Sequence, residues 1–132
     1  MKLDINCVRD IMLTLEDVLT VDDNGSVAPF STDQLAELLP KYRRGEIIYT
    51  TLRLAEAGFL DLYDGSGPSG CLWFYGSGGI TYKGHDFIAS VRPQPVWLSI
   101  GKKAARSSGS LGLNLLASVA EEAAKAFLLG SD

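Results

Sequence analysis

One histidine and two cysteines in 132 residues leave little material for site chemistry. A structural zinc centre takes four ligands, usually in close pairs, and Cys7, Cys71 and His85 form no such pairs. A serine or cysteine nucleophile needs a base, and His85 is the one histidine available to serve. We expect His85 to be structural, in hydrogen-bond reach of a neighbouring turn or cap. The six glycines within residues 65–79 precede no helix opening with Lys and Ser/Thr, so a phosphate-binding loop is not supported. Asp22-Asp23-Asn24-Gly25 lacks the alternating ligands and closing glutamate of a calcium loop and is expected to form a turn. Asp22/Asp23 and Glu121/Glu122 are expected to be solvated surface. No apolar run approaches the roughly eighteen residues a membrane span needs. Met1-Lys2-Leu3-Asp4 brings an acid at once, without an apolar stretch and small-residue cleavage site. The expectation is a cytoplasmic chain with reduced cysteines, no metal, no cofactor and no enzymatic activity.

What is present fits one globular domain: 46% apolar and 21% charged residues, enough for a single modest core. The net charge of −4 is unevenly spread. Residues 1–40 hold two basic and eight acidic side chains, whereas 41–60 hold Lys41, Arg43, Arg44 and Arg53 against Glu46 and Glu56. Positive charge is thus concentrated in one short segment.

Val8, Ile11, Met12, Leu15 and Leu19 recur at helical spacing, predicting a first helix over 5–20 with Asp4 as N-cap. Ser31 and Gln34 form a capping box, with Phe30 and Leu35 spaced as a hydrophobic staple, opening a second helix that buries Leu35, Leu38 and Leu39. Pro40 stops it, and Lys41-Tyr42-Arg43-Arg44 leads into a third. There, Ile48, Leu52, Ala55 and Phe59 read as the inward stripe and Glu46, Tyr49, Thr50, Arg53 and Ala57 as the opposite face, with Gly58 ending the helix. Residues 59–63 and 71–75 read as the two strands of a glycine-tipped hairpin, the second continuing as far as Ile80. Trp73, Phe74 and Tyr75 put aromatics on both faces of that strand. Thr81 caps a fourth helix, with Gly84, Phe87, Ile88 and Val91 on one face, which Pro93 stops. Trp97 and Leu98 are expected to anchor an irregular or short helical segment, and the Ser-, Gly- and Lys-rich stretch 101–110 to be a linker. A last helix over 111–129 shows Leu113, Leu116, Ala120, Ala123 and Phe127 on a wide apolar face, expected to pack on the core or in a dimer.

Three helices, a glycine-tipped hairpin and a further helix is the order of a winged helix-turn-helix domain. The wording agrees: Leu52-Arg53-Leu54-Ala55-Glu56-Ala57-Gly58-Phe59-Leu60 resembles the end of many winged-helix recognition helices, and Ile80-Thr81-Tyr82-Lys83-Gly84 resembles the segment after the wing. More closely, residues 1–10, 46–60 and 80–88, Val91-Arg92, Trp97 and the Ser110–Leu116 motif together resemble a bacterial and prophage family, domain of unknown function 2513. The resemblance implies a winged-helix-like fold, phage or mobile-element neighbourhoods and no assigned activity. The chain departs from that family at Thr50, where members often carry His, and at Arg43 and Arg44, where acidic residues are common.

The expected architecture is therefore α+β: a winged helix-turn-helix-like domain over 1–100, a linker over 101–110, and a C-terminal helix over 111–130. The expected function is a small regulator of transcription binding double-stranded DNA. Tyr49, Thr50 and Arg53 would meet the groove, and Lys41, Arg43 and Arg44 the backbone. A homodimer through the C-terminal helix would double the basic surface. The alternative is a non-catalytic protein–protein interaction or assembly adaptor on the same fold.

Overall fold

The computed structural model describes residues 2–62, 71–106 and 112–130, arranged as six helices and two small antiparallel sheets. Helix α1 spans Ile5–Val18; Asp4 opens it by accepting from the backbone N–H groups of Asn6 and Cys7. Its inward face is Cys7, Val8, Ile11, Met12 and Leu15, all fully buried. Asp22 Oδ1 accepts from the Asn24 and Ser26 amides at 2.9 and 3.0 Å, an Asx turn that reverses the chain. Strand β1 (Val27–Ser31) then runs straight into α2 (Thr32–Leu38), where Ser31 and Gln34 make the expected capping box. Leu35 is buried, but Leu38 is half exposed and Leu39 partly buried, so the inward face of α2 is narrower than its apolar content implied.

Helix α3 (Arg44–Glu56) turns a different face inward from the one its pattern predicts. The buried positions are Ile47, Thr50, Thr51 and Leu54, with Ile48, Leu52 and Ala55 only partly covered. Two threonines in the core account for this rotation. Thr51 donates its hydroxyl to Ile47 O at 2.7 Å, and Thr50 Oγ1 accepts from Cys7 Sγ at 3.7 Å. With their hydroxyls satisfied they pack as small β-branched residues, although a polarity count places them outside. Gly58 ends the helix at φ +87°, a left-handed conformation that favours glycine.

Among the described residues the expected hairpin closes through the far end of its second strand, near Ile80, and residues 71–75 do not pair with 59–63. Strand β2 (Leu60–Asp61) pairs with β4 (Gly79–Ile80), and β3 (Trp73–Gly76) pairs with β1. In the β1–β3 sheet Phe30 lies opposite Phe74 and Ser31 opposite Trp73, and the Thr32 hydroxyl accepts from the Leu72 amide at 3.0 Å. Phe74 is buried, while Trp73 and Tyr75 on the other face stay exposed. The last residue of the first expected strand and the tip of the expected hairpin, together 63–70, lie outside the described residues.

Thr81 caps α4 (Tyr82–Val91), accepting from the Gly84 amide at 3.0 Å. Gly84, Phe87, Ile88 and Val91 face inward as predicted, and Phe87 stacks on Phe59 with ring centroids 5.0 Å apart. Beyond Pro93, the segment expected to be irregular or a short helix is helical, and it runs on through the first part of the expected linker as α5 (Gln94–Arg106). Pro95 sits in its first turn, where a missing N–H costs nothing. Val96, Trp97, Ile100 and Ala104 make a buried stripe that outweighs the Ser, Gly and Lys content. Residues 107–110 of the expected linker lie outside the described residues. Helix α6 (Leu113–Leu128) lays Leu113, Leu116 and Ala120 against α4 and α5, and its last two turns are mostly exposed. The architecture is thus α+β, with all six helices contributing side chains to one core.

Candidate nucleic-acid interface

Five residues, 39–43, link α2 to α3 and carry Lys41 and Arg43, with Arg44 opening α3 directly after them. The link is held down by Tyr42, whose hydroxyl donates to Asp10 Oδ2 on α1 at 2.7 Å. Burial and that carboxylate raise the Tyr42 hydroxyl's pKa above the ordinary phenol range, so it remains a donor. Glu46 turns back to accept from the Arg43 amide at 3.3 Å, fixing the start of α3.

All four basic residues singled out in the sequence lie against carboxylates. Lys41 Nζ is 3.0 Å from Asp10, Arg43 Nε 3.8 Å from Glu46, Arg44 Nε 2.7 Å from Asp33, and Arg53 Nε 3.0 Å from Glu56. Arg53 Nε is buried and its contact with Glu56 is an ion pair without a hydrogen bond; its guanidinium carbon stands 4.9 Å from the Tyr49 ring centroid. Two of these acids, Asp10 and Asp33, come from α1 and α2. Four cations thus meet four anions, and the face is close to neutral.

Of the six expected contact residues, Lys41, Arg43 and Arg44 are exposed around the link, and Tyr49 and Arg53 lie partly exposed on α3. Thr50 is a correction: at 4% exposure it faces Cys7 in the core and offers no atom to a groove. Sequence reasoning missed Asp10 and Asp33 as partners of the cations. Their only signal was the acidity of residues 1–40, which carries no hint of which acids fold against the link.

Elsewhere, Cys7 and Cys71 form no disulfide, and burial pushes the Cys7 thiol up to about 11. His85 is exposed and borders a hollow of about 240 Å³ with Glu16, Val27 and Gly79. Among the described residues no three His, Cys, Asp or Glu side chains come together in a way that would hold a metal ion, and no helix is long and apolar enough to cross a membrane.

The profile of the family described as "Hypothetical protein (DUF2513)" matches residues 2–110. The match stops where the Ser110–Leu116 motif begins, so α6 lies beyond it. No curated protein and no solved structure matches the chain.

Proposed function

Because the chain belongs to the DUF2513 family, described only as hypothetical, we propose its function from the fold and the surface alone: a small winged helix-turn-helix regulator that meets double-stranded DNA through the α2–α3 link. The observation that carries it is the order of elements around that link. Two helices joined by five residues follow α1 and β1, and after α3 the paired strands β2 and β4 bracket the glycine-rich stretch 62–78, the position of a wing in the chain order. Lys41 and Arg43, with side chains 67% and 85% exposed, would meet the phosphate backbone, with Arg44 beside them.

The ion pairs set the strength of such binding. Exposed pairs are worth about 0–1 kcal/mol, so a phosphate can take over the cations. The carboxylates stay behind and repel it, leaving a weak, strongly salt-dependent contact per copy. With three cations engaged, log K should fall with log salt at a slope of about −3. A second reading, a protein–protein adaptor without nucleic acid, is favoured by the same neutrality, since matched charges on a folded face suit a protein partner better than a polyanion.

Retention of random genomic duplex fragments across a salt series, with sequencing of what is retained, tests the proposal. Retention with that slope, lost in a Lys41→Ala/Arg43→Ala/Arg44→Ala variant that still folds, supports it. No retention at roughly 50 mM salt overturns it in favour of the adaptor.

A further inference from the structure

A cleft of about 640 Å³ runs between α4 and α6. The stacked rings of Phe59 and Phe87 line its depth, and α6 lines one wall with Ala117, Ser118, Glu121, Ala124, Lys125 and Leu128. On α4, Lys83 and Asp86 line the other wall, one charge of each sign. Past Ala120 no residue of α6 is fully buried, and its end is exposed and apolar: Phe127 at 49%, Leu128 at 79% and Leu129 at 83%. Of these Leu128 lines the cleft, and with Leu129 beside it puts exposed apolar surface at the cleft's end.

We propose that this cleft seats α6 of a second copy of the same chain, the two helices packing antiparallel about a twofold axis that passes between Glu121 and Lys125, at the level of Ala123 along the helix. An interface of this symmetry must be complementary to itself, residue against residue. This helix meets that requirement on charge and on size. About that axis, Glu121 stands opposite Lys125 of the partner subunit and Lys125 opposite Glu121 of the partner subunit, giving two equivalent ion pairs. Ser118 stands opposite Leu128 of the partner subunit and Ala117 opposite Leu129 of the partner subunit, so each exposed leucine meets a small residue that admits it. Within one copy Glu121 and Lys125 already lie 3.3 Å apart with side chains 64% and 61% exposed, a weak pair that is released easily to new partners. The mixed signs of Lys83 and Asp86 leave no charge barrier to the approach of a like copy. Pairing of this kind does not depend on DNA binding by the link.

The test is the mass of the full chain in solution by sedimentation equilibrium, with circular dichroism to confirm that each variant stays helical. The unaltered chain is expected to dimerise, and Leu128→Asp to return it to monomer. Glu121→Lys and Lys125→Glu each place like charges across the axis and should weaken self-association at least about tenfold. Mixing those two variants is the decisive step, because one then presents only cations and the other only anions at these positions. A heterodimer tighter than either homodimer supports the proposal, since an effect confined within each helix would not respond to mixing. A monomeric unaltered chain, a Leu128→Asp variant that still dimerises, or a mixture that behaves as the sum of its parts overturns it.

Discussion

Arg9, midway along α1, donates Nε to the backbone carbonyl of Val91, the last residue of α4, at 2.9 Å. The same guanidinium reaches Arg92 O at 2.9 Å and lies 5.3 Å from the centroid of the Trp97 ring. Trp97 in turn donates its indole N–H to Asn6 Oδ1 at 3.0 Å. One side chain on α1 therefore satisfies carbonyls left open at the end of α4 and orients the start of α5.

Replacing that fork should cost more than its charge. Arg9→Ala is expected to destabilise the chain by about 1.5–3 kcal/mol, because charged hydrogen bonds to carbonyls and the ring contact are lost together. Arg9→Lys should recover less than half of this, since an ammonium cannot reproduce the planar fork. Urea denaturation of the two variants measures the difference.

The link to α1 gives a second test. Tyr42→Phe removes the donor to Asp10 while leaving the ring, and should cost about 1–2 kcal/mol in chemical denaturation. Its sign with pH is also defined. The folded chain holds the Tyr42 proton above the ordinary phenol range, so the unfolded chain releases it first and stability falls as pH rises beyond that range. The variant should lose this part of the alkaline slope.

Cys7 acts in the same direction at lower pH. Burial, only partly offset by the Thr50 hydroxyl, pushes its thiol up to about 11. The unfolded thiol ionises lower, so between the ordinary thiol range and about pH 11 the unfolded state binds fewer protons and the folded state loses stability as pH rises. Below that range the contribution is intact. Urea midpoints should therefore fall more steeply with pH for the unaltered chain than for Cys7→Ala, whatever the offset between them.

Two glycines should respond oppositely to the same substitution. A Cβ on Gly84 would lie 2.1 Å from Phe59 O and 2.9 Å from the Ile80 side chain, so Gly84→Ala must push α4 off its neighbours. A loss of about 3 kcal/mol or more is expected. A Cβ on Gly101, inside α5, would meet nothing within 4 Å, and Gly101→Ala should stabilise by about 0.5–1 kcal/mol. Thermal melts of the pair check both signs.

The legible parts of this fold are those whose causes lie within a few residues. Asp4, Ser31 with Gln34, and Thr81 cap their helices as their spacing predicts, and Gly58 ends α3 in a left-handed turn. The buried faces of α1 and α4 follow directly from helical spacing, because nearly every large apolar residue on those faces goes inward. At the candidate site, Lys41, Arg43 and Arg44 fall around an exposed link, as Pro40 and the capping signals that bracket it imply.

Caps, stops, the faces of α1 and α4 and the position of the basic link have local causes, dictated by backbone donors and by neighbours three or four residues away. The rest follows from contacts between segments far apart in the chain. Residues 73–76 had no local reason to choose residues 27–31 over 59–63, since strand pairing depends on distant edges being brought together. Thr50 went inside because Cys7, 43 positions earlier, supplied its hydroxyl with a partner. Asp10 and Asp33 neutralised a link that looked basic in isolation, because folding sets charges by distance in space and segment totals record only distance along the chain.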